Sequence, residues 1–274
     1  MNPTPLQRVQ ILVAYDGTRF DGWQSQRSKN GIQDHLEKAA ATITGQKTAV
    51  HGAGRTDAGV HALAQSAHLD LPFHSVPLEQ WALALNAHLP REIRVTNLRL
   101  MPATFHARFS AKSKIYRYRI FNADWMNPLE LQRAWHIPKN IDFALMRAAA
   151  AMLVGRHDFR AFCANRGWKE TSTVREIWKI SLRKAGPLIT LDFFGEGFLY
   201  KMVRMLSANI VRVGQGKSNL AELERFLHDP ASAKSTLSAP AEGLTLMKVG
   251  YREVASAALA GTSSVTKRAS SGPK

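Results

Sequence analysis

Residues 52 to 61 read Gly52-Ala53-Gly54-Arg55-Thr56-Asp57-Ala58-Gly59-Val60-His61, the densest run of chemistry-bearing residues in the chain. Three glycines in eight residues permit positive φ and let a backbone approach a ligand closely. Arg55 and Asp57 sit between them, on what reads as a tight, partly exposed loop. A neighbouring arginine favours the ionised form of a carboxylate, which suits a nucleophile or an electrostatic stabiliser. The same guanidinium can receive a phosphate. The competing reading is a Gly-rich turn in which Asp57 satisfies local N–H groups. His51, His61 and His68 fit no zinc spacing and have no cysteine cluster beside them, so they read as incidental.

Two further stretches could meet nucleic acid. The loop Tyr15-Asp16-Gly17-Thr18-Arg19-Phe20-Asp21-Gly22-Trp23-Gln24-Ser25-Gln26 combines aromatic, amide and glycine residues able to stack on bases and contact phosphates. A structural turn anchored by Trp23 accounts for it equally well. Phe105-His106-Ala107-Arg108-Phe109-Ser110-Ala111-Lys112-Ser113-Lys114-Ile115-Tyr116-Arg117-Tyr118 interleaves bases with aromatics. It also reads as a half-buried strand with Tyr116 and Tyr118 inward and one tyrosine at a site edge. Arg19, Gln24, Arg108, Lys112 and Lys114 are the candidate RNA contacts from these stretches.

The elements that must position these residues follow from periodicity. Strands are expected at Gln10–Tyr15, Ala62–Leu71 and Arg94–Leu100, with a helix around Ile32, Leu36, Ala39, Ala40 and Ile43 and another over Pro77–His88. Lys114–Phe121 alternates, and Asp142–Val154 reads as a helix ended by Gly155. Ile177–Arg183 and Leu188–Phe194 form a hairpin around Ala185-Gly186-Pro187. Helices are expected over Phe198–Val213 and Leu220–His228, the second with Asn219 and Glu222 in capping-box positions. Hairpins mixed with helices imply an α+β fold with largely antiparallel sheets in two similar halves, joined near residues 102–114. From Ala255 the composition turns to Ala, Ser, Thr, Gly and Lys, and reads as a disordered basic tail.

Lys+Arg 37 against Asp+Glu 21 gives a net charge of +16. Such an excess attracts polyanions, and nucleic acid is the usual partner of a basic soluble protein. The bland alternative is a basic surface without a specific partner. No apolar run approaches the ~20 residues of a membrane helix, and Met1–Gln10 lacks the apolar core of a secretory signal. The single Cys163 excludes a disulfide framework and a multi-cysteine metal site, and fits a reducing cytoplasm.

Taken together, Gly54-Arg55-Thr56-Asp57-Ala58-Gly59-Val60-His61 resembles the catalytic motif of the TruA family of tRNA pseudouridine synthases. The Tyr15–Gln26 loop, the Phe105–Tyr118 stretch, Phe198–Arg204 with Met202-Val203-Arg204, and Pro240-Ala241-Glu242-Gly243-Leu244-Thr245-Leu246 occur in the family's order. The resemblance covers nearly everything from Ile11 to Tyr251. It implies a pseudouridine synthase fold: two RRM-like halves, residues 1–106 and 107–254, with joined, mostly antiparallel sheets, a central basic cleft and a tail over 255–274. It further implies a homodimer binding tRNA across both subunits, uridines at positions 38, 39 and 40 of the anticodon stem-loop as substrate, and no metal or organic cofactor. By motif position Asp57 is the catalytic aspartate. Arg55 pairs with it and helps hold the extruded nucleotide; extrusion is needed because a stacked uridine hides its glycosidic bond. Tyr116 stacks on the flipped base and assists proton removal from C5, Arg204 supports Asp57 electrostatically, and Leu244 packs against the base.

Two positions depart from the family pattern. Ser207-Ala208 stands where Val-Gly is usual, and Ala64 replaces a glycine. Both bear on helix packing and tRNA fit rather than on Asp57, Arg55 or Tyr116. Two rival functions exist. A non-catalytic tRNA-binding protein or chaperone accounts for the charge but not for an Arg-Thr-Asp loop framed by glycines. A zinc deaminase needs a His/Cys ligand set that Cys163 cannot supply.

Overall fold

The computed structural model describes residues 6–72, 77–164, 172–230 and 234–252; the tail read from Ala255 onward lies outside the described residues. Strand β1 (Leu6–Tyr15) alternates Val9, Ile11, Val13 and Tyr15 into the core. Helix α1 (Ile32–Thr44) buries Ile32, Leu36, Ala39 and Ala40. After the short β2 (His51–Gly52) come β3 (His61–Pro72), α2 (Leu78–Ala87) and β4 (Ile93–Leu100). This part therefore keeps the expected order of strand, helix, strand, helix, strand, with β2 added.

The second part holds β5 (Ser113–Phe121), β6 (Trp135–His136), α3 (Phe143–Met152), β7 (Gly155–Asp158), β8 (Val174–Ala185) and β9 (Leu188–Gly195). Helices α4 (Met202–Gly214) and α5 (Leu220–His228) precede the last strand, β10 (Leu244–Gly250). Asn219 caps α5 by accepting from the Glu222 N–H at 2.8 Å. The helix expected from Phe198 starts four residues later. Lys201 has φ 59°, a left-handed conformation that blocks helical propagation from its N-terminal side.

All strands join one sheet in the order β4-β1-β3-β10-β5-β9-β8-β7, with β2 beside β3 and β6 beside β5. The pairs are antiparallel except β10 with β3 and β6 with β5. The architecture is thus α+β, dominated by a large, mostly antiparallel sheet. β10 comes from the end of the described chain yet lies between β3 and β5, with Thr245 opposite His61 and Leu244 opposite Tyr118. One continuous apolar cluster runs through both parts, and α4 is buried along most of its length. The departures Ser207 and Ala208 lie within that buried helix, where the Ser207 hydroxyl has no hydrogen-bond partner. A hydroxyl so placed costs stability without reaching the site described next.

Candidate active site

β1 ends at Tyr15 and β3 begins at His61, with Tyr15 paired to Ala62, so both glycine-bearing loops leave neighbouring strand ends. They pack on each other. The Trp23 N–H donates to the Thr56 carbonyl at 3.0 Å. Gly22 has φ 89°, and a Cβ there would strike the Thr56 carbonyl oxygen. Gly52 leaves room in the same way for the Trp23 indole, which is buried beneath it. The Tyr15–Gln26 loop is thus the structural turn its sequence allowed, and it also borders the cavity. Trp23 is a structural anchor, while Gln24 faces the cavity.

The catalytic-motif loop is held at several points along its length. The Tyr15 and Thr56 hydroxyls are 2.8 Å apart, Gln65 Nε2 donates to the Gly54 carbonyl at 2.9 Å, and Lys114 Nζ donates to the Ala53 carbonyl at 3.1 Å. The Val60 N–H closes the turn onto the Asp57 carbonyl at 3.1 Å. Such bracing fixes where the Asp57 side chain points, which a catalytic group requires.

Asp57 Oδ2 accepts from Arg204 Nη1 at 2.9 Å, while Arg204 Nε donates to the Ala239 carbonyl at 2.8 Å. The guanidinium is thus locked from two sides, and 14% and 17% of the Arg204 and Asp57 side chains are exposed. Arg204 lies in the first turn of α4, so the left-handed Lys201 that delays the helix also sets where this arginine begins. Arg55 is exposed on the motif loop, and its Nε donates to Gln24 Oε1 at 3.1 Å.

β5 divides its two inward tyrosines between structure and site. Tyr118 is fully buried and donates to the Pro240 carbonyl at 2.8 Å. Tyr116 is also buried but borders the cavity, with Phe198 edge-on at 5.3 Å. Burial above all, with Tyr15 and Asp57 nearby, pushes the Tyr116 phenol pKa up, so the ring stays neutral. Lys114, two residues earlier on the same face, is half-buried; burial, then Arg108 and Arg175, lower its pKa to about 8.

Of the residues expected from the sequence, Asp57, Arg55, Tyr116, Leu244, Gln24, Arg108 and Lys114 all line one cavity of about 670 Å³. Arg204 reaches Asp57 from behind that wall. Arg19 and Lys112 lie away from it: Arg19 is exposed and paired with Glu92 at 3.2 Å, and Lys112 is exposed before β5. Sequence reasoning passed over Thr56, Gln65 and Phe198 as site residues. Phe198 lay inside a quoted stretch, and Gln65 is an amide within an otherwise apolar part of β3, which is the signal that could have found it. His61 is engaged structurally, accepting the Gly17 N–H on Nδ1 at 3.1 Å and lying 2.8 Å from the Gln132 carbonyl through Nε2. Among the described residues, no group of three or more His, Cys, Asp or Glu is placed to hold a metal, and no helix is long and apolar enough to cross a membrane.

A family profile described as tRNA pseudouridine synthase matches residues 11–110 and 149–252. The chain belongs to the tRNA pseudouridine synthase family. The tRNA pseudouridine synthase A of Akkermansia muciniphila is 42% identical over 255 residues, spanning 90% of this chain and 96% of that one. Its namesake from Solidesulfovibrio magneticus is 43% identical over 257 residues, spanning 90% and 92%. That of Acetivibrio thermocellus is 37% identical over 246 residues, spanning 90% and 100%. The profile includes both glycine-bearing loops and all of α4, so this member of the tRNA pseudouridine synthase family is matched on both sides of its cavity.

Proposed function

We propose that the protein isomerises uridine to pseudouridine in tRNA, at positions 38, 39 and 40 of the anticodon stem-loop. The observation that carries this reading is the Asp57 carboxylate, held by Arg204 at a cavity bordered by Tyr116 and Leu244. The reaction needs no redox partner. The N1–C1′ bond breaks, a C5–C1′ bond forms, C5 loses a proton and N1 gains one, so substrate and product have the same composition.

Asp57 acts as the nucleophile that allows the glycosidic bond to break, at C1′ or at the uracil ring. Arg204 orients the carboxylate and compensates its charge while the base is detached. Arg55, on the exposed side of the same loop, holds the nucleotide out of its helix. Tyr116 supplies a neutral stacking surface; because burial keeps its phenol protonated, it is not the preformed base for the C5 proton, and it relays that proton only by passing its own O–H proton on to solvent in the same step. Leu244 closes the apolar side of the base site. Gln24, Arg108 and Lys114 contact RNA at the cavity wall, and Arg19 and Lys112 contact it farther out.

Assembly as a homodimer in the cytoplasm belongs to the same proposal; exposed Trp125, Leu129 and Leu131 between β5 and β6 supply apolar surface for it. Light scattering on purified protein reads the oligomer directly. The function is tested by treating unmodified tRNA with wild-type or Asp57→Asn protein and mapping pseudouridine by carbodiimide labelling and primer extension. New pseudouridine in the anticodon arm with wild type alone is the expected result. Tight tRNA binding with unchanged uridines would favour the non-catalytic binding protein instead.

A further inference from the structure

We propose that His106 and Phe109 form a stacking platform at the rim of the cavity, receiving a nucleobase that neighbours the reacting uridine in the bound RNA. This rests on the tRNA reading above and adds a second base subsite to it.

The platform begins with a turn between β4 and β5. The Ser110 N–H donates to the His106 carbonyl at 2.9 Å, and the His106 N–H donates to Ser110 Oγ at 3.1 Å. His106 Nδ1 in turn accepts the Arg108 and Phe109 N–H groups at 3.1 and 3.4 Å. The imidazole is therefore fastened to the backbone that carries Phe109. The two rings lie 4.3 Å apart at 35°, close to offset stacking. Behind them His68 meets His106 at 4.6 Å and stacks on His51 at 4.9 Å and 21°. His68 is itself fixed, accepting the Ala107 N–H on Nδ1 at 3.1 Å.

Phe109 is nevertheless 77% exposed. A phenylalanine pinned at its base and open on the outside is a preoriented face rather than core filler. Phe109, His106 and His51 line the same cavity as Asp57, but Tyr116 is buried there and Phe109 is not, which puts Phe109 at the mouth. Burial and the neighbouring cations lower the pKa of His106 and bring that of His68 to about 4, so both imidazoles are neutral near pH 7.

The surroundings indicate the occupant. Arg108 lies over the Phe109 ring at 5.7 Å, and Lys114 spends one of its three donors on the Ala53 carbonyl. Neither has a carboxylate partner among the described residues. Flat rings between uncompensated cations suit a chain of bases joined by phosphates better than an apolar peptide. Extrusion of the uridine also supplies the need, because its neighbour loses a stacking partner at that moment.

The test is a binding titration, independent of turnover, of an anticodon stem-loop RNA against wild type, Phe109→Ala and Phe109→Trp. Phe109→Ala should weaken binding about tenfold without changing its salt dependence, and Phe109→Trp should restore it. The turn survives the substitution because it is made by His106, Ser110 and backbone groups. The titration is then repeated with RNAs carrying one abasic nucleotide at each position flanking the target uridine. At one position, loss of the base should weaken wild type and leave Phe109→Ala unaffected. An affinity within twofold of wild type for Phe109→Ala, or a loss that persists equally at every abasic position, overturns the platform. Wild-type turnover measured alongside separates the outcomes: conversion with an indifferent Phe109→Ala removes the platform alone, whereas neither binding nor conversion removes both readings.

Discussion

Two arginine-rich hollows lie on this molecule and differ in how their charge is answered. In the smaller one, about 350 Å³ and bordered by Asp16, His61, Arg94, Arg119 and Arg133, Arg119 and Arg133 meet acids while Arg94 donates to the Pro90 and Ile93 carbonyls. Arg133 lies 3.5 Å from Asp16, and Arg119 lies 2.6 Å from Glu130. In the larger cavity Asp57 is matched to Arg204, but Arg108 meets a ring and Lys114 a carbonyl oxygen. A compensated arginine contributes to local structure and attracts a polyanion weakly. An uncompensated one keeps its field for a ligand. Count of basic residues alone would not separate the two places; their partners do.

The contrast is broken hardest at the Asp57–Arg204 pair of the larger cavity. Asp57→Asn should lower pseudouridine formation by roughly 10³-fold or more while leaving tRNA affinity within a few-fold, read by single-turnover kinetics beside a binding titration. Arg204→Met comes next, with kcat falling about 10²-fold as the carboxylate loses its anchor. Retention of full activity by that variant would show that the ion pair is only structural.

Lys114 should produce a smaller effect with a distinctive pH dependence. Its pKa is lowered from 10.5 to about 8, and a phosphate binds the charged amine, so tRNA affinity should fall as pH rises through about 8. Stability responds with the opposite sign. Between about 8 and 10.5 the unfolded chain still holds the proton that the folded one has released, so this group's contribution to stability rises with pH. Lys114→Met should remove both dependences, in binding titrations and in denaturant melts at pH 7 and 9. Arg108→Ala should weaken tRNA binding about fivefold and reduce the slope of log affinity against log salt by about 1. The smallest change is expected in the other hollow, where Arg133→Ala should cost at most about 1 kcal/mol of stability and leave that slope untouched.

What the sequence revealed follows the same division between local and distant causes. β1, α1, β5 and α5 were legible because alternation, helical spacing and an Asn219 cap act within a dozen residues. β2 and β6 are two residues each, too short to show a period. The start of α4 was misplaced because the apolar run continues through Leu199 while Lys201 turns left-handed, and no local signal announces that conformation in a lysine. Asp57 and Arg55 stood out through the glycines around them. The anchoring role of Trp23 was legible from its place in the loop, but that of Gln65 comes from a side-chain contact to the Gly54 carbonyl, which spacing along one strand does not encode.

The position of β10 governs when the protein can begin to work. Synthesis delivers the Asp57 loop early, yet β3 (ending at Pro72) and β5 (ending at Phe121) are joined in the sheet by β10, which begins only at Leu244. Until then the facing edges of both strands lack their partner, and the seats of Tyr118 on Pro240 and of Leu244 in the cavity do not exist. So long-range a closure is slow relative to forming the local hairpins. A nascent or truncated chain that stops short of Leu244 thus carries Asp57 beside an unfinished cavity, which is completed only as β10 arrives.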